Sequence, residues 1–144
     1  MIYDHDTLLS DSQAITVSAP STNVFDAGQV RDIGTGQELG VDVRVTETVT
    51  ADGAATLTCE LQTASDAAFT IPVVLATSPA ISKGTLVQGA QAFFAVVPRG
   101  CLRYLRLYYT VATGPLTAGK FTSSLLLDGL LGAAPVRTGL GARV

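Results

Sequence analysis

The chain has 144 residues, 47% of them apolar and only 15% charged, with a net charge of −3. That length fits one domain spanning residues 1–144, able to bury roughly 70% of the surface its unfolded chain would expose. An acidic balance, with a pI of about 4.9, argues against a nucleic-acid partner, and the longest apolar run, residues 92–97, falls far short of the ~20 residues that cross a membrane.

Residues 1–12 are acidic and irregular and read as an N-terminal arm. Acids stand where a secretory signal needs positive charge, so synthesis in a cytoplasm is expected. Cys59 and Cys101 are then expected to be reduced, buried thiols. Beyond the arm, alternation of apolar and polar residues dominates, and helical spacing is hard to find. Val41, Val43 and Val45 alternate with Asp42, Arg44 and Thr46, and Leu57, Cys59 and Leu61 alternate with Thr56 and Thr58. Leu105, Leu107, Tyr109 and Val111 alternate with Arg106, Tyr108 and Thr110, and Phe121, Ser123, Leu125 and Leu127 keep even spacing. The pattern predicts strands near residues 13–18, 22–26, 38–49, 54–64, 71–77, 90–98, 103–113 and 120–128.

Turn signals separate these runs, and Asp52-Gly53 and Gly114-Pro115, each between alternating runs, predict hairpins. Pro72 inside a strand-like run predicts an edge strand or a bulge. Residues 129–144, rich in Gly and Ala with Pro135 among them, form a C-terminal tail, either frayed or an arm that orders on a neighbour. The fold class implied is all-β: an eight-stranded antiparallel sandwich, a jelly roll before another Greek key, with extended N- and C-terminal arms.

Charge is uneven along the chain. Residues 1–72 hold eleven acids and two bases (−9), and residues 73–144 hold one acid and seven bases (+6). The halves either cancel by interleaving or leave a two-faced surface suited to repeated contacts.

No catalytic or cofactor-binding constellation is visible. Residues 114–121, G-P-L-T-A-G-K-F, match G-x-x-x-x-G-K, but Phe121 stands where a phosphate loop needs Ser or Thr, and the residues after it read as a strand. His5, the one histidine, lies in Asp4-His5-Asp6, where adjacent side chains diverge, so neither a metal site nor a catalytic triad is expected. Asp42, Glu47, Asp52 and Glu60 are the candidates for paired glycosidase carboxylates, yet their strand and turn positions read as a solvated face. The chain is therefore expected not to be an enzyme.

The best contact surface is Arg99-Gly-Cys-Leu-Arg103-Tyr104-Leu-Arg106-Leu-Tyr108-Tyr109. If Leu105, Leu107 and Tyr109 face the core, Tyr104, Arg106 and Tyr108 share the outer face. Arg and Tyr are enriched at protein interfaces. Tyr3 and Asp4 at one end of the chain and Arg137 and Arg143 at the other are further candidate contacts.

Several segments carry a resemblance. They are the opening M-I-Y-D, S-D-S-Q-A-I-T (10–16), S-T-N-V-F-D-A-G (21–28), R-D-I-G-T-G-Q-E-L (31–39), L-Q-T-A-S-D-A-A-F (61–69) and R-Y-L-R-L-Y-Y-T-V-A-T-G-P-L-T-A-G-K-F (103–121). Together they resemble capsid cement, or decoration, proteins of tailed bacteriophages of the Bordetella-podophage type. The tail after Leu127 lies outside the resemblance. It implies a jelly-roll virion protein, made in the bacterial cytoplasm, on the outer surface of the expanded head. There it would clamp neighbouring major capsid subunits against the pressure of packaged DNA, as a symmetric dimer or trimer, with no membrane, nucleic acid or cofactor. Two other readings stay open: a receptor- or glycan-binding sandwich of a phage particle, weakened by the lack of Trp, and a small hydrolase, weakened by the solitary His5.

Overall fold

The computed structural model describes residues 4–29 and 38–127. Ten strands run through the described residues: β1 (Leu8–Ala14), β2 (Ala19–Pro20), β3 (Phe25–Asp26), β4 (Leu39–Thr50), β5 (Thr56–Ala64), β6 (Val73–Thr77), β7 (Ile81–Ser82), β8 (Gln91–Val96), β9 (Tyr104–Ala112) and β10 (Ala118–Leu127). Two single 3-10 turns, His5–Thr7 and Lys83–Thr85, are the helical elements among the described residues.

All pairings are antiparallel, and they build two sheets. One has the order β1-β10-β4-β8; the other runs β2-β9-β5-β6, with β3 also on β9 and β7 also on β5. With β2–β3 and β6–β7 each taken as one broken strand, eight strands remain. They pair first with last, second with seventh, third with sixth and fourth with fifth. A long hairpin ribbon rolled once around a core gives that nesting, which is the jelly roll.

The core lies between the sheets. Val41, Val43, Leu57, Cys59, Leu61, Leu105, Leu107, Tyr109 and Phe121 are fully buried, and the alternating residues of the sequence supply nearly all of them. Tyr109 from one sheet meets Phe121 from the other with ring centroids 5.6 Å apart. The Tyr109 hydroxyl hydrogen-bonds with Ser10 Oγ (3.0 Å) and donates to Ser123 Oγ (3.2 Å). Burial pushes this phenol up to about 12 and the Cys59 thiol likewise to about 12. Cys101 is a second buried thiol, as its sequence context implies.

Several expectations are corrected. The first strand is Leu8–Ala14, so residues 8–12 belong to a sheet and not to an arm. Its alternation is concealed by irregular pairing between Leu8 and Gln13, where Ser12 has φ 45° and Leu9 and Ser10 are both buried. The strand expected at 22–26 shrinks to Phe25–Asp26, and a second short piece, Ala19–Pro20, precedes it outside that range. Between them Ser21 bonds to β9 through its N–H, which donates to Leu107 O, and through its hydroxyl, which accepts from Leu107 N. Asn23 N–H then leaves the sheet to reach Leu9 O across the seam.

The two expected hairpins are arches. β4 and β5, on either side of Asp52-Gly53, lie in opposite sheets, as do β9 and β10 on either side of Gly114-Pro115. The consecutive strands that do pair are β5 and β6. Pro72 precedes an edge strand, as expected, and the β5–β6 register shifts between Leu61 and Gln62. The charge halves interleave at two ion pairs: Asp26 with Arg103 and Glu47 with Lys120.

Candidate interaction surface

β9 is flanked by β5 on one side and by β2 and β3 on the other, so its outward residues sit in the middle of the six-stranded sheet. Leu105, Leu107 and Tyr109 point into the core, and Tyr104, Arg106 and Tyr108 share the outer face. Pairing places Gln62 opposite Arg106, Glu60 opposite Tyr108, and both Ala64 and Asp26 opposite Tyr104.

Arg106 is held on three sides. Its Nε donates to Gln62 Oε1 at 3.0 Å, and its guanidinium lies 4.1 Å from the Phe69 ring centroid and 5.6 Å from that of Tyr108. Gln62 in turn donates from Nε2 to Glu60 Oε2 at 3.0 Å. The Phe69 ring is brought there by a tight turn. Asp66 Oδ2 accepts from Thr70 N–H and from the Thr70 hydroxyl, and Asp66 O accepts from Phe69 N–H. Phe69 adopts φ 52° in that turn and is buried beneath the guanidinium. Partial burial pulls Arg106 below the usual guanidinium value, and the Thr70 bonds hold Asp66 below the usual carboxylate range.

Arg103 behaves differently. Its Nε and one terminal nitrogen grip Asp26 at 2.8 and 3.0 Å, and its guanidinium lies 5.0 Å from the Tyr104 ring centroid. These bonds bring the Asp26 carboxyl down to about 2 and raise Arg103 above its usual value. A row of two cations and three aromatic rings, with one amide and two carboxylates, therefore stands on a rigid sheet. Its polar groups hold one another in place, which lowers the cost of ordering them on a partner.

The other candidate residues lie apart or outside the description. Arg99 is exposed in the turn before Gly100. Asp4 caps the first 3-10 turn by accepting from Asp6 N–H. Tyr3, Arg137 and Arg143 lie outside the described residues. Sequence reasoning missed Gln62, Phe69 and Asp26, because their places opposite β9 follow from register and a turn, which no local pattern encodes.

The motif-like residues take structural positions. Gly119 and Lys120 lie within β10, and Lys120 Nζ bonds Glu47 at 2.8 Å. Asp42 overturns the expectation of a solvated face: it is 1% exposed, accepting from Arg44 Nε at 2.9 Å and from Gln91 Nε2. It sits on a central strand, between β10 and β8, where side chains are covered from both flanks. Among the described residues, no group of three or more His, Cys, Asp or Glu side chains converges, and no helix is long and apolar enough to cross a membrane.

The family model for Bbp16 matches residues 9–125, which takes in both sheets and the β9 face. The chain belongs to the Bbp16 family. The Bbp16 name points to a Bordetella phage protein, in agreement with the resemblance found in the sequence. With a sandwich body, Bbp16 membership supports a phage structural protein, a component of the particle. No curated protein matches the chain.

Proposed function

We propose that this protein is a non-enzymatic cement protein that binds the outer surface of the expanded phage head and ties neighbouring major capsid subunits together. The observation that carries the reading is the Arg–Tyr face of β9 on a rigid jelly roll in a Bbp16-family chain. Resistance to outward pressure needs a stiff body, and two packed sheets with a buried core supply one. Many modest contacts, repeated by head symmetry, then add through avidity.

The Tyr108 and Arg106 side chains supply the central contact, with Tyr104 and Arg103 beside them. Aromatic rings bury area at little entropic cost, and the guanidinium offers further donors to backbone carbonyls or carboxylates of the capsid.

Co-sedimentation with expanded heads stripped of accessory proteins tests this. The wild-type chain is expected to bind saturably at fixed symmetry positions. The double variant Arg106→Ala, Tyr108→Ala is expected to fold normally and bind at least about tenfold more weakly, the loss of one hot-spot contact or more. Wild-type protein that stays in the supernatant overturns the cement reading. Equal binding by the folded double variant removes this face from it.

A further inference from the structure

The basic side chains among the described residues do not share one fate. Arg44 pairs with Asp42 at 2.9 Å, Arg103 with Asp26 at 2.8 Å and Lys120 with Glu47 at 2.8 Å. Lys83 Nζ bonds Ala51 O, and Arg99 is exposed in a turn. Arg106 differs from all of these. It is half-buried in the middle of the six-stranded sheet, and no carboxylate among the described residues lies within ion-pair distance of it.

A guanidinium carries its N–H donors as a planar fork. Arg106 uses Nε–H on Gln62 Oε1 at 3.0 Å. The Phe69 ring, with its centroid 4.1 Å from the guanidinium carbon, attracts the charge but takes up none of the in-plane donors. The N–H groups of both terminal nitrogens are left without a protein partner among the described residues. The neighbouring acids are turned elsewhere. Asp26 holds Arg103, Asp66 holds Thr70, and Glu60 Oε2 accepts from Gln62 Nε2 at 3.0 Å. That last bond also turns the Gln62 amide so that its oxygen meets Arg106. Gln62 thus stands between Glu60 and Arg106 and keeps the two from pairing.

We propose that the β9 face receives an acidic side chain of its protein partner, whose carboxylate takes both terminal nitrogens of Arg106 end-on. Gln62 occupies Nε, which closes the side-on approach and leaves the end-on fork open. A backbone carbonyl presents one oxygen and no charge, whereas a carboxylate matches both nitrogens and neutralises a half-desolvated cation. Exposed ion pairs are weak partly because two long side chains must be ordered to make them. Here Gln62, Phe69 and Tyr108 have already ordered one of the two. The identity of the partner, a major capsid subunit, rests on the cement reading; the recognition chemistry rests on Arg106 itself.

Two measurements test this, one without heads. In the first, the wild-type chain labelled with 15N is titrated with acetyl-glutamate amide and, separately, with the neutral acetyl-glutamine amide. The Arg106 Nε–Hε resonance is expected to shift saturably with the glutamate probe and not with the glutamine probe. Arg44 and Arg103, already paired with carboxylates, serve as internal controls and are expected to stay in place. No shift at Arg106, equal shifts with both probes, or an equal response at Arg103 overturns the proposal. In the second, Arg106→Lys keeps the charge and loses the fork, and it is expected to bind expanded heads at least about tenfold more weakly than wild type. A folded Arg106→Lys protein that binds heads like the wild type overturns the proposal; if that variant fails to fold, the titration decides. Heads that leave the wild type in the supernatant, while Arg106 takes the glutamate probe, overturn the cement reading and leave the carboxylate site standing.

Discussion

Replacing Gly119 with alanine puts a methyl group where the sandwich has no room. Gly119 lies in β10 beside β4 and has φ 150°. A Cβ there falls 2.8 Å from Val49 Cγ2 and 3.4 Å from both Val49 Cα and Cβ. Val49 is 4% exposed and β-branched, so its side chain has few alternative rotamers, and its Cα can shift only if the β4 backbone shifts with it. Overpacking of this kind costs about 1–3 kcal/mol. Holding alanine at an unfavourable positive φ costs about 1–3 kcal/mol more. The two together come to about 2–6 kcal/mol, a large share of the ~5–15 kcal/mol that stabilises a typical domain. At about 2–4 °C per kcal/mol for a chain near this size, Gly119→Ala should melt roughly 4–24 °C lower. Two other glycines separate the causes. Gly89 has φ 87° but nothing within 4 Å of a built Cβ, so Gly89→Ala should cost only the backbone term, about 1–2 kcal/mol. Gly84 has neither a positive φ nor a neighbour within that distance, and its alanine variant should lie within about 1 kcal/mol of wild type. Urea unfolding followed by circular dichroism gives all three values. A Gly119→Ala protein as stable as the Gly84→Ala protein would refute the close approach of β10 to Val49.

Two further predictions concern polar groups. Asp26 is held at about 2 in the folded chain against an ordinary 3.8, so the unfolded state binds its proton more readily. Its stabilising contribution is therefore full above the ordinary value and fades as pH falls from there towards 2. The difference in urea midpoint between wild type and Asp26→Asn should shrink over that acid interval, and a difference constant with pH would contradict the Arg103 pairing. Tyr109→Phe removes the hydroxyl shared by Ser10 and Ser123 while Ser10 keeps its bond to Gln13 Oε1. Leaving the buried Ser123 hydroxyl without Tyr109 should cost about 1–3 kcal/mol in the same unfolding assay. A neutral result would mean that water replaces the phenol.

Along the regularly alternating strands, the residues that face inward can be read from the sequence, and so can the places where the chain turns. The valines of β4, Leu57-x-Cys59-x-Leu61, and Leu105-x-Leu107-x-Tyr109 alternate at the strand period, and burial follows that alternation because successive side chains of a strand leave opposite faces. The outward grouping of Tyr104, Arg106 and Tyr108 was legible for the same reason. Tertiary structure decided which strands pair. Asp52-Gly53 and Gly114-Pro115 specify a reversal of direction, and a reversal serves a hairpin or an arch equally well. Whether the next strand bonds to the last or crosses to the facing sheet depends on the nesting of the whole ribbon. Register then set Gln62 and Phe69 around Arg106, set Asp26 against Arg103, and buried Asp42 on a central strand. Those contacts join residues far apart in the chain, and long-range pairing leaves no periodic trace in the sequence.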